Sequence, residues 1–323
     1  MPIKNLDKNS QVKKIIILTA ISILGIALFI LFGLNFDNIS FNLPRRALKV
    51  FAIAIVSFSI GYSSIVFQTI TGNRILTPGI MGLDSLYMFI QTVVVYFFGS
   101  RQLAMMTDTF QFVISGIIMV GASLLLYVFL FNGKMKNIYF LVLIGIIFGG
   151  FFNGLSNFMQ MMLDPNEFLV LQGKMFASFS AINVKLVEIC LILIIFCIIL
   201  IIPDLKRLNV LSLGEDHAIN LGINCKRLIR KQMIVISVLI SVSTVLVGPV
   251  TFLGLLVASL AREIVKGYKH GIMIIAAFLI GNIALIYSLF IVERLLNFSA
   301  TINVIIDFIG GIYFIYLITR NQS

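Results

Sequence analysis

The stretch LSLGEDHAINLGINCKRLIRK, Leu211 to Lys231, is polar and lies between two long apolar runs. Upstream, Lys185 to Pro203 is almost wholly aliphatic, and downstream Met233 to Val250 is nearly as apolar. Each is close to the ~20 residues that an α-helix needs to cross the hydrocarbon core of a bilayer. A polar hairpin between two such runs marks a chain that leaves lipid, turns in water and returns.

Working outward, eight further runs have similar character: Ile15 to Leu34, Ala47 to Ile70, Gly79 to Phe98, Thr109 to Phe131, Ile138 to Met162, Phe252 to Val265, Gly271 to Val292 and Ile302 to Thr319. The chain of 323 residues is 60% hydrophobic and 11% charged, too apolar for a soluble fold to cover with polar surface. The expected fold is all-α: a polytopic membrane protein of about ten transmembrane helices in one domain, 1-323. The run from Phe252 is the shortest.

The formal charge of +11 does not point to nucleic acid, because the basic residues are scattered between apolar runs without a basic stripe, interleaved aromatics or zinc-finger spacing. With ten spans and a cytoplasmic start, only Arg45, Arg46, Lys49, Arg101, Lys174, Lys185 and Arg294 fall outside, leaving seventeen of the 24 basic residues inside. That bias predicts both termini, and the Leu211 hairpin, on the cytoplasmic side of a cell membrane. The polar start MPIKNLDKNSQVKK is expected to be a cytoplasmic tail rather than a cleaved leader.

Cys190, Cys197 and Cys225 form no CxxC or disulfide framework, and His217 and His270 have no second histidine at ligand spacing, so no metal site is expected. No GxxxxGK[ST] loop occurs, so ATP is not bound by that route and no cofactor is expected on this chain.

Within the hairpin, Ser212 followed three residues later by Glu215 predicts a capping box and the start of a short helix. Ala218, Ile219 and Gly222 continue its stripe, Gly222 suits a left-handed ending, and Asn224 suits the cap of the next helix. Lys226, Arg227, Arg230 and Lys231 are expected at the lipid headgroups. Chemistry alone leaves two readings: an interfacial helix with snorkelling charges, or a contact surface for another protein.

LSLGEDHAINLG resembles the coupling segment of the FecCD family, the permeases of binding-protein-dependent ABC importers for ferric siderophores, haem and vitamin B12, whose pattern is close to LSLGExxAxxLG. LPRR (Leu43 to Arg46) resembles that family's external RLPR. FQTITGNRILTPGIMGLDS (Phe67 to Ser85) is similar to Q-x-x-x-x-NPLAxPxxLGxxxGA, and VGPVTFLGLLVASLAREIVKGYKH (Val247 to His270) is similar to GxIxFVGLxxPHxxRxxxGxDHR. MMLDPNEFLVLQGKMFASFSAINV (Met161 to Val184) resembles the branch that handles catecholate siderophores such as petrobactin. The chain departs from the pattern at Asn42, at Arg74 and Ile75, at Ala258 and Ser259, and in ERLLNFSATINV (Glu293 to Val304).

The resemblance implies a type II ABC importer permease that alternates its access while separate ATPase subunits hydrolyse ATP. It implies a coupling segment over about residues 204–231, with Ser212, Leu213, Gly214, Glu215, Ala218, Leu221 and Gly222 facing the ATPase. Arg45, Arg46 and Arg294 would meet acidic residues of an external substrate-binding protein. Ferric siderophore is the implied cargo, and a second permease, identical or homologous, the implied companion in the bacterial inner membrane.

In the fifth run, Phe152, Asn153, Asn157 and Met161 stand at helical spacing and line either a low-affinity pathway or a helix contact through the Gly149–Gly150 pair. Asp84, Glu188 and Asp307 are costly within apolar spans and each needs a protein or polar surrounding. A secondary carrier driven by an ion gradient is the competing class and would use these acids. A membrane-embedded enzyme is third, and no nucleophile–base or HExxH arrangement supports it.

Overall fold

The computed structural model describes residues 8–33, 39–105, 108–131, 138–180 and 182–321, which contain helices and no strand. The polar start up to residue 7, with Lys4, and residues 132–137, with Lys134 and Lys136, lie outside the described residues. The ten apolar runs correspond to ten helices: α1 (Lys8–Leu31), α2 (Ile39–Thr71), α3 (Leu83–Met105), α4 (Asp108–Phe131), α5 (Ile138–Met161), α7 (Val184–Ile201), α10 (Cys225–Val247), α11 (Leu253–Val265), α12 (His270–Arg294) and α13 (Ile302–Asn321). Among the described residues, six helices are long and apolar enough to cross a bilayer.

Three short helices occupy the connections: α6 (Pro165–Met175), α8 (Leu205–Leu211) and α9 (Glu215–Asn220). α6 starts as its sequence dictates. The Asp164 carboxylate accepts from the Asn166 amide, Pro165 fills the first turn where its missing N–H costs nothing, and Glu167 and Lys174 complement the helix dipole.

α2, α10 and α12 form the centre and are mostly buried, whereas α1 and α5 expose most of their surface. Small residues set the central crossing. A Cβ at Gly61 of α2 would lie 3.2 Å from the backbone carbon of Ala277 in α12, and one at Gly281 would lie 3.2 Å from the Cβ of Ser57. In lipid, where apolar side chains have no preference for one another over acyl tails, such close backbone contact is what holds helices together.

α11 has 13 residues, about 20 Å at 1.5 Å per residue, against a hydrocarbon core of ~30 Å. It is a partial span that follows a break at Gly248–Phe252, and it runs unbroken through Ala258 and Ser259. The break is supported rather than loose. Ser178 donates its amide to Val247 O at 2.7 Å, and Asn303 donates to Pro249 O at 2.9 Å while accepting from the Ala177 amide at 3.1 Å. The far end of α11 is finished by the first helix: Lys14 Nζ donates to Ile264 O at 2.7 Å and Gln11 to Val265 O at 3.4 Å.

Candidate functional site

The hairpin has a fixed shape whose details correct the expected capping box. Helix α9 begins at Glu215 with Gly214 as its cap, at φ 114° and ψ 154°, so Glu215 is the first helical residue rather than the third. Ser212 instead ends α8 and returns its hydroxyl to Asn209 O at 2.7 Å. Only glycine adopts the Gly214 geometry at little cost, and it reverses the chain before a serine cap could form.

The other end of α9 follows the sequence. Gly222 has φ 81°; its amide donates to Ile219 O at 2.9 Å, and that of Ile223 donates to Ala218 O at 3.0 Å, the paired bonds of a Schellman ending. Asn224 caps α10 by accepting from the Arg227 amide at 3.0 Å.

The candidate contact residues divide by exposure. Ser212, Leu213, Gly214, Glu215, Leu221 and Gly222 are exposed, and Leu213 (62%), Ile219 (54%) and Leu221 (65%) present apolar surface. Ala218 is wholly buried and packs the helix onto its own base, where Cys225 Sγ lies 3.8 Å from Glu215 O. Its methyl therefore lies beneath the exposed residues of the hairpin. Cys190, Cys197 and Cys225 are all buried and free.

At the base of the hairpin lies a residue that hydropathy passes over. Asp204 sits in a 3-10 turn (Ile202–Asp204) with its side chain 1% exposed. Its Oδ1 accepts from Arg207 Nη1 at 2.9 Å, and its Oδ2 from Lys231 Nζ at 2.7 Å and Gln232 Nε2 at 3.1 Å. Gln232 Oε1 in turn accepts from the Tyr62 hydroxyl on α2. Lys231, expected at the headgroups, is thus an ion-pair partner of the base. A second tie passes through buried His270, whose ring contacts Asn209 Oδ1 of α8 and Thr69 Oγ1 of α2, each at 2.9 Å. The only sequence signal for the first tie is a lone aspartate in IIPDLKR at the end of an apolar run.

At the opposite end of the bundle, the three arginines behave differently. Arg45 is exposed and lies 4.0 Å over the Phe41 ring. Arg46 is half-buried. Its Nη1 donates to Ile30 O at 2.6 Å, Phe32 O at 2.8 Å and Phe29 O at 3.3 Å, and its Nη2 to Gly33 O at 3.1 Å. These carbonyls lie at the end of α1, so Arg46 caps that helix. Arg294 is partly buried, with its Nη1 beside Gly33, and the neighbouring Glu293 pairs with Lys49.

On α5, Phe152 is partly buried among Phe89, Phe148 and Phe151, with ring centroids 5.4, 6.2 and 5.8 Å away. Asn153 is exposed and donates to Ser85 Oγ at 2.9 Å. Asn157 and Met161 are exposed and share a groove with Gln160, Leu163, Pro165 and Phe168, so the stripe splits between a packed aromatic and three open residues. Of the glycine pair on the same helix, Gly149 makes a close contact, since a Cβ there would lie 3.1 Å from Gly82 Cα, whereas one at Gly150 or at Gly154 would meet nothing within 4 Å. The acids are accommodated separately. Asp84 accepts from the Thr244 hydroxyl at 3.3 Å, Asp307 lies beside Thr251 and Phe252 at the start of α11 with its Oδ1 unpaired among the described residues, and Glu188 is exposed on α7.

Comparison with known proteins agrees with this geometry. The backbone superposes on a chain described as an inward-facing conformation of a metal-chelate type ABC transporter, with a TM-score of 0.83, 20% identity and coverage of 96% of this chain and 100% of the other. The sequence is 48% identical to the petrobactin import system permease protein YclO of Bacillus subtilis, over 96% of this chain and 98% of that one. It is 35% identical to the petrobactin import system permease protein FatC of Bacillus anthracis, over 86% and 79% of the two chains. The profile of the FecCD transport family matches residues 15–320, and the chain belongs to that family.

Proposed function

We propose that this chain is the permease subunit of an ABC importer for a ferric siderophore of the catecholate, petrobactin-like type. The observation that carries the reading is the 48% identity to a petrobactin import permease along nearly the full length of both chains. In this reading the hairpin end is cytoplasmic, with both termini on that side, and the Arg45 end is external. ATP is bound and hydrolysed by separate ATPase subunits, and the permease supplies no catalytic group.

Each candidate surface supports one partner. The exposed Leu213, Ile219 and Leu221, with Ser212, Gly214, Glu215 and Gly222 between them, form a small apolar face on a helix fixed at both ends, which suits the cleft of an ATPase. Arg45, assisted by Arg294, offers positive charge to an external binding protein. Rim charges of this kind set orientation and encounter rate more than affinity. On α5, the amides of Asn153 and Asn157 are exposed on a mostly apolar helix, and amides are costly against acyl chains. That face is therefore turned toward a second permease and the pathway between them, with Phe152 and Met161 as its apolar margins.

Reconstitution of the chain with its ATPase and binding protein tests the proposal. ATP-dependent, vanadate-sensitive uptake of ferric petrobactin is expected. Uptake driven by a proton or sodium gradient without the ATPase would instead make it a secondary carrier.

A further inference from the structure

Asp204 stands where the chain leaves the membrane helices for the hairpin, and Lys231 and Gln232 stand where it returns. Both edges of the excursion therefore meet at one carboxylate. The carboxylate is dry, at 1% exposure, while Lys231 and Arg207 keep 35% and 61% of their side chains exposed. One negative charge without water thus accepts from two half-hydrated cations and an amide, and both of its oxygens are occupied.

Such an arrangement is poor value as simple stabilisation, because a buried ion pair is often matched or exceeded by apolar side chains of the same volume. What it adds is geometry. The apolar contacts of Leu208 and Leu211 permit sliding, whereas a carboxylate with three donors admits one relative position of the two chain segments. The bond from the Tyr62 hydroxyl to Gln232 extends this to α2, one residue from Gly61, where α2 meets the α12 backbone. The His270 tie joins α8 to the ends of α2 and α12, but it does not join the two edges of the hairpin to each other.

Resting on the permease reading above, we propose that Asp204 is a positioning residue for energy coupling. It locks the outgoing and returning segments of the hairpin into one body with α2, through Lys231, Gln232 and Tyr62. A push on the α9 surface then displaces α2 and α10 together. Without the lock, the hairpin yields at its base and the helices stay behind.

The test uses the complete reconstituted transporter, with ATP hydrolysis and uptake measured on the same vesicles. Asp204→Asn keeps the size and one acceptor, and Tyr62→Phe removes a single hydroxyl that bonds to Gln232 and to none of the charged groups. Both variants are expected to bind the ATPase and hydrolyse ATP within about two-fold of wild type. The ATP consumed per cargo should rise about ten-fold for Asp204→Asn, within the usual span of coupling energies, and about three-fold for Tyr62→Phe, just below it. Combining Asp204→Asn with Lys231→Gln removes the orphaned cation; thermal stability should recover while the ratio stays high.

A wild-type ratio in Tyr62→Phe, or reduced assembly of Asp204→Asn at an unchanged ratio, would show a purely structural residue and overturn the proposal. Failure of the permease reading is visible separately, in wild-type vesicles that take up cargo without ATPase or never bind it.

Discussion

Arg46 and Ile30 are joined by a 2.6 Å hydrogen bond from guanidinium to backbone carbonyl, and through it α2 closes the end of α1. The same side chain reaches Phe29, Phe32 and Gly33, so one arginine satisfies most of a helix terminus. Arg46→Ala should lower stability by about 2 kcal/mol, the range for hydrogen bonds to a charged group. Thermal melting of the detergent-solubilised protein checks this, and Arg46→Lys should recover part of the loss.

Arg45, one residue earlier, should behave in the opposite way. Arg45→Glu is expected to leave melting unchanged and to raise the binding-protein concentration needed for half-maximal uptake. Because exposed charges separated by more than ~10 Å are screened at 0.1 M salt, the difference from wild type should shrink as salt is added. A difference independent of salt would assign Arg45 a packing role over Phe41.

Gly222 holds a left-handed turn that a β-branched side chain resists. Gly222→Val should cost roughly 1–2 kcal/mol locally and undo the Schellman ending of α9. Membrane insertion should be normal, since no apolar span is touched. Co-purification with the ATPase and ATP-driven uptake should both fall; normal uptake would remove the hairpin from the coupling path.

The α2–α12 crossing gives a paired prediction. Gly61→Leu forces side-chain atoms into the Ala277 backbone and should destabilise by about 1–3 kcal/mol. Gly116 on α4 has open space around it, and Gly116→Leu should show no such loss. Comparing the two melting curves separates close helix contact from a general cost of bulk in an apolar chain.

The ten long helices were legible because length and hydropathy are properties of a run of residues and survive small errors. The boundaries were less so. α10 starts at Cys225, about two turns before the apolar run at Met233, since Lys226 to Lys231 are as helical as they are charged. Gly222 and Asn224 act as read because they bond to chain neighbours. Arg46 and Asp204 escaped because, Arg207 beside Asp204 apart, their partners lie 13 to 28 residues away, at positions that no local pattern encodes. Hydropathy treats each as a charge beside lipid, whereas the fold uses each as a joint.

The contact of Lys14 with Ile264 spans 250 residues and has a consequence for how the protein is made. The opening helix enters the bilayer long before the segment whose end it will finish has been synthesised, and it must wait there with a lysine ready. The shorter α11, arriving late, settles against a wall already in place. A chain lacking its first helix would therefore leave the Ile264 and Val265 carbonyls at the end of α11 without the donors that finish them.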